Sequence, residues 1–332
     1  MTTFNGLLEG LTVLEQGSEP TVRYCGWLLA ANGATVYRIS EPRANPPAGD
    51  RFVEDFLDGR KTRVATVADA GEVEILIADP SYDWGSVSGG VLTGTVHPFR
   101  PTGPYADWTG NELIYSSLGG ASSYTVTRDG VPVYGHGDRY QYLAGQHLFQ
   151  GLTASYLQRL IDPTVQTGPA PLVEVSLYET VVTTLPYPTT QYQYNGDESV
   201  LEQSGPRFVS ECKDGFVVIY AGFAWDPIAA ALDRADLLTD ERFVENDARF
   251  RHVVELGAIF DEWAAVRTVD EACQAGKAHN VAVTPVRSAA EALQDADLTH
   301  RGVFTKDRSG RGLVPAIPYT VNGMRPQEAK NV

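Results

Sequence analysis

The chain has 332 residues, 43% of them hydrophobic, which is ample for one large domain and a smaller one. A formal net charge of −16 argues against nucleic-acid partners and anionic membranes, which need clustered cations, while leaving room for a local basic pocket around a phosphate. No run of eighteen apolar residues occurs and the amino terminus lacks the segments of a signal peptide, so a soluble, cytoplasmic protein is expected. Cys25, Cys212 and Cys273 form no Cys-x-x-Cys pair and the histidines no His-x-x-x-His, so neither a disulfide framework nor a metal site is expected.

Val13 and Leu14 open a first strand; Val22, Cys25 and Leu29 recur at helical spacing; Gly33 ends the helix, and Thr35 to Ile39 resumes a β-prone run. In such a βαβ unit the ligand lies beyond the carboxyl ends of the strands, where the first loop and the helix amino terminus offer N–H groups to an anion. Gly-x-Gly-x-x-Gly does not occur between Val13 and Gly33, which argues against a plain dinucleotide dehydrogenase. Arg38 closes the unit, and the stretch Phe56 to Val64 places Arg60, Lys61 and Arg63 within four positions. Arginine suits bidentate phosphate contact and lysine a point charge, with a solvated basic turn as the alternative.

Glu74 to Ala78 and Val91 to Val96 are short apolar runs suited to buried parallel strands. The loop after the second, from His97 to Glu112, carries Phe99, Gly103, Pro104 and Tyr105; Gly and Pro fix a path close to a ligand, and the rings offer stacking surface. Leu148, Leu152, Tyr156 and Leu160 then form the apolar face of a helix that contains Gly145 and Gly151. Leu172 to Leu177 alternates as a strand, a polar linker runs near Asn195 to Pro206, and Phe216 to Tyr220 reads as a hairpin strand. Helices are expected at Pro227 to Ala235, Arg251 to Val266 and Val269 to Lys277, with Trp225 and Trp263 in a core. His136 and Asp138 are too close in sequence for a hydrolase triad, and no Gly-x-Ser-x-Gly elbow supplies a nucleophile.

In their order and spacing these segments resemble the family III CoA-transferases, the group that includes formyl-CoA transferase, carnitine CoA-transferase and α-methylacyl-CoA racemase. The likeness runs ungapped from Val13 through Gly33 and Ala34 to Glu41 and Pro42. Phe56 to Val64 is similar to the family's Asn-x-x-Lys-x-Ser segment, with Asp58 where Asn is usual, and the Phe99 to Tyr105 loop to its Gly-Phe-Gly-x-x-Gly-Pro-Tyr stretch. The strand at Leu172 resembles the family's Gly-Gln-bearing strand with Ala170 and Pro171 in place of Gly-Gln, and Asp236 to Phe243, Asn246 to Arg249, Thr284 to Val286 and His300 to Gly302 look like its small domain. The resemblance implies that Arg38, Lys61, Phe99, Gly103, Pro104 and Tyr105 hold coenzyme A.

In the transferases an Asp attacks the acyl-CoA carbonyl and forms a mixed anhydride, splitting one hard exchange into two easier steps. The family sets this Asp four residues before a Gly that opens a helix, with a second Gly six residues on. Gly145 and Gly151 match that pair, and counting back four reaches Gln141, whose amide is not a useful nucleophile. The nearest acid is Asp138, which a three-residue loop insertion in the deformable Gly135 to Gly137 turn would bring to the catalytic position; a turn cap or a pair with Arg139 is the competing reading. The racemases' Gly-His-Asp-x-x-Tyr segment matches Gly110, Asn111, Glu112 and Tyr115, and Asn111 cannot shuttle a proton, which disfavours a racemase.

The expected fold is α/β, with an open Rossmann-like large domain from residues 1–200 plus 310–332 and a small α+β domain over 201–309. The expected activity is transfer of CoA between an acyl-CoA and a carboxylic acid. Its alternative is a catalytically silent CoA-binding subunit partnering an active paralogue, motivated by Gln141 and Asn111. The resemblance further implies an interlocked homodimer, or a heteromer with that paralogue.

Overall fold

The computed structural model describes residues 6–39, 50–83, 90–127, 130–135, 137–162, 164, 171–196, 207–221, 224–307, 309–310 and 312–326. The ends of several sequence-read segments, Ser40 to Pro42, His136, Gly168 to Ala170 and most of the Asn195 to Pro206 linker, lie outside the described residues.

In chain order the large unit holds β1 (Thr12–Gln16), α1 (Pro20–Ala31), β2 (Thr35–Ile39), α2 (Asp50–Asp58), β3 (Thr62–Val64), β4 (Ile75–Ala78), β5 (Leu92–His97), α3 (Glu112–Leu118), α4 (Arg139–Ile161), β6 (Leu172–Ser176) and α5 (Leu177–Thr183). Its six strands form one parallel sheet in the order β3-β2-β1-β4-β5-β6. The β1 to β2 connection is the expected βαβ unit: Pro20 is preset for the first turn of α1, and Gly33, at φ +98°, supplies the left-handed turn after it.

One face of the sheet packs on α1 and α4. Val13, Val36, Ile75, Ile77, Leu92 and Val96 join Val22, Cys25, Leu29, Ala144, Leu148 and Leu152 in a single core. The glycines set how closely these layers approach. A Cβ on Gly145 of α4 would lie 2.5 Å from the Thr21 carbonyl oxygen of α1, and one on Gly151 2.7 Å from Val173 of β6. Gly94 of β5 leaves the space that Leu148 and Leu152 fill. Of the face read for α4 from sequence, Leu148 and Leu152 are fully buried and Tyr156 packs on the core, but Leu160 points outward.

Residues 187–296 form the second compact unit, and 297–326 rejoin the first. The divisions fall after Pro186 and Ala296, where the sequence reading sets them after 200 and 309. Following α6 (Pro186–Asn195), the second unit holds β7 (Arg207–Cys212), β8 (Gly215–Tyr220), α7 (Trp225–Leu232), α8 (Asn246–Arg251), α9 (Val253–Ala265), α10 (Val269–Ala278), β9 (Ala282–Pro285) and α11 (Ala289–Leu293). β7, β8 and β9 make an antiparallel sheet over a core of Phe208, Ile219, Phe243, Leu256 and Phe260. Trp225 and Trp263 are buried there, and their ring N–H groups donate to the carbonyls of Leu237 and Ala231 at 3.0 and 3.1 Å.

α12 (Ala296–His300) leads into the antiparallel pair β10 (Phe304–Lys306) and β11 (Leu313–Pro315). Beyond them Ile317 is buried with Trp27, Leu28, Ala31 and Leu57, and the Tyr319 hydroxyl donates to Asn32 just after α1, so the returning segment is fastened to the large unit.

Candidate functional site

At the carboxyl end of β1 the loop Gly17-Ser18-Glu19 carries the N–H groups that a phosphate takes in many βαβ units. Here Asp79, the residue after β4, occupies that position. Its Oδ2 accepts from the Ser18 N–H at 2.7 Å and the Ser18 hydroxyl at 3.3 Å, and its Oδ1 from the Glu19 N–H at 3.3 Å. A Cβ on Gly17 would stand 2.4 Å from Asp79 Oδ1, so a glycine there admits the carboxylate. Burial, and then the Asp79 charge, push the Glu19 carboxyl above its ordinary value.

Arg38 and Lys61 lie in a buried ion cluster beside this loop. Glu15, at 0% exposure on β1, accepts from Arg38 and from Lys61 Nζ at 2.7 and 2.9 Å. Lys61 also donates to the Arg23 carbonyl at 2.8 Å, and Arg38 to the Gly17 carbonyl at 2.8 Å. Asp58, at the end of α2, completes the cluster with Arg23 at 2.9 Å, Arg38 at 3.3 Å and Lys61 at 3.4 Å. Burial alone would raise the Asp58 carboxyl, but Lys61, Arg38 and Arg23 outweigh it and hold the group below the usual carboxylate range. The Lys61 ammonium is driven the other way, lowered by burial that Glu15 and Asp58 only partly offset. Arg38 and Lys61 are therefore already engaged by acids, and a phosphate would reach them only after those pairs part. Formally the cluster holds three cations, Arg23, Arg38 and Lys61, against two anions.

The Phe99 to Tyr105 loop is organised by its rings. Phe99 is buried with its ring centre 5.8 Å from Tyr105, 6.0 Å from Trp108, 5.7 Å from Tyr115 and 5.6 Å from Tyr178. Tyr105 and Trp108 are 4.3 Å apart, and Trp108 is half exposed. Gly103, at φ +104°, and Pro104 form the exposed tip. Phe99 thus anchors the loop, and Tyr105 with Trp108 forms the ring surface that a flat ligand would meet.

Asp138 and Gln141 both lie at the start of α4, which packs against the first turn of α1 through Gly145. Asp138 occupies the cap position but makes no side-chain cap bond and is exposed. Glu112, at the first position of α3, is buried and its Oε1 accepts the Tyr140 N–H at 2.8 Å. Burial raises the Glu112 carboxyl, helped by Asp138 and opposed by the Tyr140 and Gln141 amides. Tyr115 is pushed up to about 12 by burial, then by the Glu19 and Glu112 charges. Asn111 caps α3, accepting the Ile114 N–H at 3.2 Å.

Sequence reasoning passed over Glu15 and Asp79. An acid inside the apolar run Val13-Leu14-Glu15 signals a buried partner, and an Asp directly after the strand Ile75-Leu76-Ile77-Ala78 lies at the edge where the fold places anions. Among the described residues no group of His, Cys, Asp and Glu is arranged to hold a metal, and no helix is long and apolar enough to cross a membrane.

A parallel sheet of order 3-2-1-4-5-6 with charged loops at its carboxyl edge defines an open α/β protein of Rossmann-like form. The chain belongs to the CoA-transferase family III, whose family model matches residues 90–330. Succinyl-CoA--D-citramalate CoA-transferase of Chloroflexus aurantiacus is 24% identical over 96% of this chain and 89% of its own length. The succinyl-CoA:(R)-benzylsuccinate CoA-transferase subunit BbsE of Thauera aromatica is 22% identical over 71% of this chain, which spans 61% of that relative. Among solved structures, a CAIB/BAIF family protein from Brucella suis superimposes with a TM-score of 0.79 at 17% identity, over 98% of this chain and 95% of that one, a likeness of fold.

Proposed function

We propose that the chain is an acyl-CoA:carboxylate CoA-transferase with Asp138 as its reacting carboxylate. The observation that carries this reading is an acid left uncapped and exposed at the amino terminus of α4, three residues from the aligned position Gln141, in a chain of this family. An Asp138 oxygen attacks the thioester carbonyl, a C–O bond forms, the C–S bond breaks and CoA thiolate leaves, giving an acyl-aspartyl anhydride. The thiolate then attacks the Asp138 carbonyl of that anhydride, forming a C–S bond and expelling the donor carboxylate. The acceptor carboxylate displaces the thiolate to form a second anhydride, and the thiolate attacks its acceptor carbonyl, releasing the new acyl-CoA and the free Asp138 carboxylate. Phe99, Gly103, Pro104 and Tyr105 form the proposed CoA loop. Arg38 and Lys61 contribute to the net positive charge of their cluster, which favours phosphates nearby without open contact. The three cysteines are free thiols, as a reducing cytoplasm keeps them, and we place the reaction there.

A second reading is favoured by Gln141 and by Asn111, which is spent as a cap: a CoA-binding subunit that works beside a catalytic paralogue. The relative BbsE is itself named as a subunit. An interlocked homodimer belongs to the first reading and a heteromer to the second. Intact-protein mass spectrometry after incubation with a panel of acyl-CoAs and a hydroxylamine quench separates them. The transferase reading expects a hydroxamate at Asp138 that Asp138→Ala abolishes. Calorimetric CoA binding without any adduct favours the silent subunit, and no CoA binding removes both.

A further inference from the structure

The amino terminus of α4 has a cap that does not come from its own cap residue. A helix leaves its first N–H groups without intrahelical partners, and an Asp at the cap position ordinarily accepts from the second or third residue. In α4 those are Tyr140 and Gln141, and Glu112, 28 residues before Tyr140 in sequence, accepts from the first of them at 2.8 Å. The Arg139 N–H is taken by the Gly137 carbonyl and the Tyr142 N–H by the Asp138 carbonyl at 3.1 Å. The Arg139, Tyr140 and Tyr142 N–H groups are thus satisfied without the Asp138 side chain, whose backbone at φ −48°, ψ 51° departs from the extended form of a side-chain cap.

This arrangement carries a cost that the simpler one would avoid. Glu112 is 3% exposed and its Oε2 is buried with no hydrogen-bond partner, so a carboxyl group has been taken from water for one amide of another helix. Asp138 already stands at the cap and is in solvent, where capping would need no such burial. We propose that Glu112 is a positioning residue that caps α4 in place of Asp138 and so keeps the Asp138 carboxylate free at the positive end of a 23-residue helix. The functional consequence rests on the reading of Asp138 as the reacting carboxylate: a nucleophile that caps its own helix would be turned toward the helix amides and made less basic by their hydrogen bonds.

Carbodiimide-promoted coupling of an amine, mapped by mass spectrometry, reports whether the Asp138 carboxylate is free. Wild type is expected to label at Asp138. Glu112→Ala releases the Tyr140 amide, Asp138 turns inward to replace the cap, and its labelling falls severalfold. Glu112→Gln retains an acceptor oxygen and restores the labelling. Equal labelling in all three overturns the proposal. Should Glu112→Ala fail to fold, Asp138→Ala decides: an unchanged melting temperature is expected, whereas a drop of the size seen on removing an ordinary helix cap shows that Asp138 does the capping and overturns it. Hydroxamate trapping in wild type keeps the two readings apart, because a missing adduct refutes the transferase chemistry while the labelling pattern still reports who caps α4.

Discussion

At the scale of single residues, the most exposed commitment is the Glu15–Lys61 pair. Removing one member of a buried ion pair leaves the other desolvated, a cost of about 3–5 kcal/mol. Lys61→Met is expected to lose an amount near the low end of that range in urea unfolding, since Arg38 stays beside Glu15. Glu15→Leu combined with Lys61→Met should recover part of it. Acidity separates two carboxyls of opposite sign. Asp58 is held below its unfolded value, so its stabilisation is present above the ordinary carboxylate range and disappears as pH falls through the folded value. Glu112 is held above its unfolded value, so the native state binds that proton more tightly and loses stability as pH rises from the ordinary glutamate range through the raised value. Melting curves of Glu112→Gln against wild type should therefore shift in favour of the variant as pH rises across that window. Arg38 and Lys61 were legible as candidate phosphate contacts, but their engagement was not: Asp58 stands three residues before Lys61 in sequence, whereas Glu15 of β1 reaches both cations only through the pairing of the strands.

At the scale of elements, the meeting of α1 with α4 decides where the candidate carboxylates stand. Gly145→Ala would drive a Cβ to 2.5 Å from a backbone oxygen of Thr21, which no rotamer change relieves. Overpacking of this kind costs about 1–3 kcal/mol, and the shift it forces falls on the first turns of both helices. The expected result is a lower melting temperature together with loss of acyl transfer out of proportion to it, read by comparing adduct yield with folded fraction. Gly94→Ala should be milder in yield, since it meets the ends of Leu148 and Leu152 in the middle of α4. The parallel strands and α4 itself were visible in sequence through their apolar runs and helical spacing. The outward turn of Leu160 was not, because in the last turn of α4 it is Arg159 that is buried, donating to the Gly90 carbonyl, and periodicity does not say where an apolar stripe gives way to a polar contact. Asp79 escaped for a related reason: a carboxylate that fills a backbone loop leaves no pattern in the sequence of that loop.

At the scale of the whole molecule, the two units differ in how they are threaded. The large unit needs both ends of the chain, for Ile317 and Tyr319 fasten the returning segment to α1, so neither part of it is expected to fold alone. Residues 187–296 are continuous in sequence and enclose their own core of Phe208, Val217, Ile219, Phe243, Leu256, Phe260 and Ala264, with both indole N–H groups satisfied internally. A segment of this size lies within the range of independently folding domains. Expressed by itself, it is expected to show a cooperative thermal transition by circular dichroism and dispersed amide resonances, and Phe260→Ala, which empties the centre of that core, should lower its midpoint by an amount matching about 3–5 kcal/mol. A fragment without a transition would mean that the large unit supplies part of its stability. A cooperative transition would make the small unit a module whose stability resides in its own core.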